Sequence, residues 1–436
     1  MSGADVTVLL NTQYGNLSAL FASKQSLWGN RGFDTTNIFA VDNTYSSTPV
    51  GNEANWGQEV RFRLRKRGGK IHRTWVKVSV TAGVVAAANR AAFVDDLGAN
   101  AIENCRLSYA SKTLQEYPGE AVKHYRRLMH HDINREAYNA MAFGGLPPGA
   151  GGGEAQRELL ASTAFDFYIP LDWLYFCRFE DYCLTPEALA SELDLSIVFR
   201  PLRQMVYSRV IATGAVPVGS PFTTAPTISS SVLYQQLIHL PVPEKNRHLQ
   251  TFETDQGNLY KILDFETQLN NDVAAAAGIY KIKLDNFRLD SQFIFWVIRD
   301  NSIESDYTVD RNQADSTATI LPGGGSVASM TPMTSFRLLA NGRVIVDTVT
   351  DIENRAIHRD IYFPGMQIAE PIYFIPFSWL LKDAKNVTSF QNMANLGNVE
   401  LELTMPARTL PSIVDVYSVT HNIIQWKRGD VVKALR

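Results

Sequence analysis

The sequence predicts an all-β chain folded as two tandem sandwiches, with short helices and long loop insertions. Three observations carry this. Short apolar runs, several alternating strictly with polar residues, recur between clusters of turn residues. Very little of the chain shows helical periodicity, and the strand–helix alternation of a dinucleotide-binding fold is missing. One block of sequence also returns at a fixed offset. Composition agrees: 28 glycines and 19 prolines supply turns, while 22 phenylalanines and 17 tyrosines suit a pleated, half-buried surface.

At 436 residues, 45% apolar and only 19% charged, the chain is long enough for two or three domains and rich enough to fill their cores. Wholesale disorder is excluded. Forty-one Lys and Arg against 44 Asp and Glu leave a net charge of -3, with no global attraction to phosphates or anionic lipid. A dedicated, sequence-specific nucleic-acid binder is therefore not expected.

Residues 1–57 are rich in Asn, Ser, Thr and Gly and show no sustained period, so they read as an arm laid over another surface. Strands follow. Val60, Phe62 and Leu64 alternate with Arg61, Arg63 and Arg65, and Trp75, Val76, Val78 and Val80 form the next run. Further strands are predicted at 105–110, 165–170, 193–199 and 232–240. Pro118-Gly119-Glu120 opens a helical stretch to Met129, and 144–153 is a loop by composition. The second half continues in the same manner, with strands at 259–265, 279–284, 293–298, 336–339, 343–347, 372–376, 399–405 and 414–426 and an irregular insertion over 300–332.

The repeat lies between these halves. Phe167-Tyr168-Ile169-Pro170-Leu171-Asp172-Trp173-Leu174 matches Tyr373-Phe374-Ile375-Pro376-Phe377-Ser378-Trp379-Leu380 at an offset of 206. The strand beginning at Leu193 answers the one beginning at Val399 at the same offset. Upstream, each half carries a strand, a polar turn and a short helix, the helices running over 119–129 and 351–358. Proline is tolerated in a sheet only at edges, ends and bulges, so Ile169-Pro170 with Trp173 and Ile375-Pro376 with Trp379 mark equivalent corners of two equivalent sandwiches. The expected division is an arm over 1–57, a first sandwich over 58–245 and a second over 246–436. Each, at about 190 residues, is large enough to bury roughly 70% of its unfolded-chain surface.

The segment Phe167 to Arg178 resembles the apolar Ile-Pro-Leu-x-Phe-Trp-Phe stretch of the double jelly-roll major capsid proteins of large nucleocytoplasmic DNA viruses and their smaller relatives. Cys183 to Leu189 is similar to that family's turn before a strand, and Tyr234 to Arg247 to the strand and acidic-basic turn that close its first jelly roll. Leu339-Ala340-Asn341-Gly342-Arg343 resembles the Leu-Asn-Gly turn of the second, and Val414 to Ile424 its closing strand. The resemblance spans most of residues 58–436 in the family's order. It departs at Lys385 to Asn392, where the family has Pro-Ser-Gly, and at Ala110-Ser111-Lys112, where a Gly-Gly hairpin is expected.

What the resemblance implies is two eight-stranded jelly rolls side by side. It further implies a major capsid protein, not an enzyme, whose homotrimers form pseudo-hexagonal capsomers tiling an icosahedral shell. Neighbouring capsomers, minor capsid and penton proteins are the implied partners, with internal-membrane contact through residues 1–57. The expected location is the virion, assembled in the host cell. The N-terminus shows no basic and apolar leader pattern, and Cys105, Cys177 and Cys183 are an odd set that reads as reduced. The rival reading is a carbohydrate-binding or carbohydrate-active β-sandwich protein that stacks sugars on exposed aromatics.

No catalytic, cofactor or metal site is expected. The glycines at 144–153 lack a Gly-Lys-Ser/Thr ending. His124, His130 and His131 lack the spacing of a zinc pair and read as surface residues. Cys177 and Cys183 are too far apart for a redox motif, no Gly-x-Ser-x-Gly elbow occurs, and the carboxylate pairs Glu103 with Glu116 and Asp181 with Glu187 read as chance. The one charge concentration is the stretch Arg61, Arg63, Arg65, Lys66, Arg67, Lys70, His72 and Arg73, of which Arg61, Arg63 and Arg65 share a strand face. That face meets solvent or a neighbouring subunit, or it contacts anionic lipid or nucleic acid within a shell.

Overall fold

A computed structural model describes residues 40–51, 53–64, 66, 70–94, 97–129, 161–171, 185–213, 219–240, 242–254, 257–300, 333–363, 372–379, 381, 389–408 and 411–433. Among the described residues, eight strands build the two main sheets of the first half, with short strands at Val84–Val85, Asn89–Phe93, Val206–Val210 and Phe222–Thr224 forming two small ribbons beside them: β1 (Ala40–Ser47), β2 (Glu59–Leu64), β3 (Lys70–Val80), β4 (Ile102–Tyr109), β5 (Lys112–Tyr117), β6 (Phe165–Pro170), β7 (Leu193–Phe199) and β8 (Ile228–His239). Eight more build the main path of the second, with short strands at Gln391–Asn392 and Asp430–Lys433 pairing alongside: β9 (Asn258–Val273), β10 (Gly278–Lys283), β11 (Asp290–Asp300), β12 (Ser335–Ala340), β13 (Arg343–Thr350), β14 (Ile372–Pro376), β15 (Val399–Met405) and β16 (Ser412–Lys427).

The pairing order is the same in both. In the first half the sheets run β1-β8-β3-β6 and β2-β7-β4-β5; in the second they run β9-β16-β11-β14 and β10-β15-β12-β13. Raising every number by eight converts one half into the other, and all neighbours within these four sheets are antiparallel. Two face-to-face sheets in this order form a jelly roll, so the chain is a double jelly roll. The aligned pairs β6/β14 and β7/β15 are the ones whose sequence repeat is legible.

Local chemistry explains the elements. β2 alternates exposed and buried residues along its whole length, with Val60, Phe62 and Leu64 inside, because one face lies on the core and the other meets solvent. Helix α1 (Gly119–Met129) follows β5. Its Gly119 is required by close approach, since a Cβ there would stand 2.5 Å from the carbonyl oxygens of Ala99 and Ile102. The matching helix α3, a π-helical segment Glu353–His358 continued by Arg359–Tyr362, follows β13. A capping box opens it: the Glu353 amide donates to the Thr350 hydroxyl and the Thr350 amide to the Glu353 carboxylate, at 3.3 and 3.4 Å. Asn354 then holds it on the free edge of β14, exchanging two hydrogen bonds with the Phe374 backbone at 2.7 and 3.1 Å.

The sequence reading needs two adjustments here. The stretch 40–47, assigned to the N-terminal arm, is the edge strand β1, paired with β8 from Ala40–His239 to Ser47–Leu233. Its hydrogen bonds come from a strand nearly two hundred residues away, which local periodicity does not register. The division at 245/246 falls inside helix α2 (Val242–Glu253), which stands where the acidic-basic turn after β8 was expected.

Within α2, the His248 Nε2 lies 3.1 Å from the Thr185 hydroxyl and its ring meets Phe252 edge-on at 5.2 Å. Burial, and secondarily the Lys70 charge, hold this imidazole down at about 4 instead of 6.5. A depressed histidine favours the neutral form, so its contribution to stability is full above pH 6.5 and is lost as pH falls toward 4. Denaturant midpoints should therefore drop between pH 7 and pH 4.5 by a larger margin in the wild type than in His248→Gln. Equal pH slopes in the two proteins would contradict this.

The β4–β5 and β12–β13 hairpins share a two-residue turn with both central residues at positive φ. In the second copy these are Asn341 (49°) and Gly342 (76°), the pair this turn prefers; in the first they are Ala110 (43°) and Ser111 (67°). Left-handed backbone costs a residue with a Cβ about 1–2 kcal/mol. The double substitution Ala110→Asn with Ser111→Gly is expected to stabilise the protein by about 1 kcal/mol in chemical unfolding.

Candidate assembly surfaces

The two jelly rolls meet along a seam built by α1. The second sandwich keeps one face of the β9-β16-β11-β14 sheet for its own core, where Ile294, Trp296, Ile298, Tyr373, Ile375, Val414 and Val416 are buried. The opposite face carries Phe265, Phe293, Phe295, Phe374, Tyr417 and Val419, and these also are buried, in an apolar cluster continuous with the core of the first sandwich. Phe363 and Tyr362 at the end of α3 cover Phe374, at 5.0 and 6.1 Å, and α1 covers the rest. Tyr125 stacks on Phe293 and meets Phe265 edge-on, both at 6.1 Å, and His124 lies 6.3 Å from Tyr417. Burying each large apolar side chain contributes about 1.5–3 kcal/mol, which makes the seam a major stabilising element. His124, read as a surface residue, is buried in it.

Polar pairs also cross or border the seam. The Gln115 amide donates to the Leu263 carbonyl at 2.8 Å, and Arg200 pairs with Glu120, the acidic residue in the first turn of α1, at 3.5 Å. Burial first, and then the nearby Asp415 charge, raise the Tyr417 phenol well above its ordinary range, so it stays neutral. A second contact joins the β4–β5 hairpin to the C-terminal turn. The Tyr109 hydroxyl donates to the Gly429 carbonyl at 2.5 Å, the Ala190 amide donates to the same oxygen at 3.0 Å, and Lys112 pairs with Asp430 at 2.9 Å. The Lys112 hydrogen bond lowers the Asp430 carboxyl below its usual value.

The repeat corners sit at matching registers. Pro170 ends β6 opposite Trp75, and Pro376 ends β14 opposite Phe293. Ile169 and Ile375 are both buried. Trp379 is 81% exposed, while Trp173 lies outside the described residues. Arg61 and Arg63 point outward from β2, as their alternation predicts; Arg65 lies outside the described residues. Each of the two has a carboxylate neighbour, Arg61 with Glu59 at 3.1 Å and Arg63 with Glu192 at 3.0 Å, so the face is less positive than its arginines suggest. The Arg61 hydrogen bond is the main cause of a lowered Glu59 carboxyl.

Cys105 is a buried free thiol pushed up to about 12 by burial, an unreactive core group. Glu116 accepts a hydrogen bond from Asn104. Cys177, Cys183, Asp181, His130, His131 and the glycines at 144–153 lie outside the described residues. Sequence reasoning missed the aromatic outer face of the second sandwich. Its signal is the absence of alternation in Ile372-Tyr373-Phe374-Ile375 and in Val414 to Thr420, which marks strands covered on both sides.

No protein-family model matches this sequence, and no curated protein matches it. Solved structures do. PBCV-1 VP54, fitted into a reconstruction of the virophage Sputnik, superposes with a TM-score of 0.71 at 14% identity, covering 94% of this chain and 100% of that one. The Faustovirus major capsid protein gives 0.67 at 11%, covering 98% and 100%. The mavirus major capsid protein gives 0.54 at 9%, covering 95% and 94%. The chain thus has the double jelly-roll fold of these viral capsid proteins over nearly its whole length.

Truncating the seam's central ring tests its weight. Tyr125→Ala should lower stability by about 3 kcal/mol, the usual consequence of removing a buried aromatic. It should also speed amide exchange in α1 more than in β8, which lies in the other sheet of the first sandwich from the β5 strand that leads into α1.

Proposed function

We propose that this chain is a major capsid protein, with a structural rather than a catalytic role. Three copies form a pseudo-hexagonal capsomer, and capsomers tile an icosahedral shell of a DNA virus. The observation that carries the reading is the duplication itself: two jelly rolls of identical strand order in one chain, the helix of one covering the sheet of the other. Three such chains present six similar sandwiches, so a threefold oligomer approximates a sixfold tile, and such a tile covers a curved surface with few kinds of contact. The likeness in fold to the Faustovirus and mavirus major capsid proteins supports the same reading. Neighbouring capsomers are the principal partners, and the virion is the location.

The decisive measurement is mass in solution. Light scattering on the purified full-length chain at micromolar concentration should return three times 48.6 kDa. A clean monomer under those conditions would argue against the capsomer.

A further inference from the structure

Among the described residues, the seam inside the chain has a counterpart with no helix laid over it. Aligning the sheets on Pro170 and Pro376 places Trp75 with Phe293, Lys77 with Phe295 and Tyr168 with Phe374. Across β8 and β16 the same register places Tyr234 with Val419 and Val232 with Tyr417. In the second sandwich all five positions are buried beneath the seam. In the first, the corresponding five are only half-buried, and Trp75 and Tyr234 stack on each other at 5.7 Å across the sheet. This outer face is aromatic at its centre yet half open to solvent.

The helix that would cover such a face has a counterpart as well. The hairpins align at an offset of 231, Lys112 with Arg343, which places Ala121 of α1 with Ile352. The wide π turn of α3 adds one residue, which brings Tyr125 to Ile357. Ala121 and Tyr125 are 0% and 6% exposed, whereas Ile352 and Ile357 are 69% and 57% exposed, and Ile361 continues the stripe at 64%. The side of α3 bearing Asn354, Arg355 and Arg359 is buried against its own sandwich. Three exposed isoleucines along one short helix are an unusual solvent face, because each forgoes about 1.5–3 kcal/mol of burial.

We infer that α3 of one chain docks through Ile352, Ile357 and Ile361 onto the Trp75–Tyr234 face of a second copy, repeating between chains the contact that α1 makes within one. The occupant is a second copy because the chain already contains the same interface in finished form, one helix on one sheet. The unused helix and the unused sheet face belong to opposite halves. Such a contact is heterologous, so it must close into a ring or propagate, and three repeats close the tile. The inference rests on the capsomer reading and specifies which surfaces make it.

Cross-linking separates the two. A variant carrying both Ile357→Cys and Lys77→Cys keeps the aromatic pair and gives up only a half-buried ion pair of Lys77 with Asp166. Built in a background with Cys177→Ser and Cys183→Ser and treated with a short bis-maleimide, it should run as covalent dimer and trimer on a denaturing gel, while the single variants and the background chain, whose remaining Cys105 is buried, should not. Ile352→Asp with Ile357→Asp alters exposed positions, so the unfolding transition should be retained while the mass falls from the trimer to 48.6 kDa. A trimeric mass without cross-links, or a trimer that survives the two aspartates, would overturn this docking and leave the capsomer standing. A monomeric wild type would overturn both.

Discussion

The structure depends on covering the outer face of the β9-β16-β11-β14 sheet. A sandwich normally leaves that side of each sheet to water, and it then carries polar residues. Here the side carries Phe265, Phe293, Phe295, Phe374 and Tyr417, of which the second jelly roll covers Phe374 and part of Phe293 with its own Tyr362 and Phe363. The rest requires α1 of the first jelly roll, with Tyr125 and His124 laid on the aromatic surface. The two halves are thereby bound into one apolar cluster, and the linker α2 has only to bridge partners that already adhere.

Both halves have the same scaffold, and burial distinguishes their sequences. β6 and β14 are the same strand twice. In β6, Phe167 and Ile169 are buried while Asp166 and Tyr168 are half-exposed; in β14, Ile372, Tyr373, Phe374 and Ile375 are all buried. One is a strand with a wet face and the other a strand with two dry ones. The helices diverged in the opposite sense, with the apolar side of α1 used inside the chain and that of α3 left at the surface.

Buried charge in the second half is organised around this geometry. Arg299 pairs with Asp415 at 2.6 Å and reaches Asn270 at 3.2 Å, so three strands share one polar node. Arg355 donates to Asp351 at 2.8 Å, and the same carboxylate accepts the Tyr373 hydroxyl. Burial and that partner raise the Tyr373 phenol well above its ordinary range and keep it a donor. Removing one member of such a pair leaves an uncompensated charge, so these nodes specify how α3 and β9 sit as much as they stabilise them.

Most strands were legible because alternation and apolar runs are local properties. β2, β7, β15 and the corners at Pro170 and Pro376 could be placed from the residues alone, and the repeat at offset 206 announced two copies of one fold. The repeat was readable only across β6–β7 and β14–β15 because loop lengths elsewhere differ: the hairpins already stand at an offset of 231. β1 escaped notice since its partner β8 is remote, and α2 since Pro241-Val242-Pro243 reads as a turn. The amino-acid order by itself determined strands, corners and duplication, all of which depend on neighbours along the chain. Tertiary structure alone decided which aromatic face is covered and which stays open, because that depends on what another part of the molecule, or another molecule, lays over it.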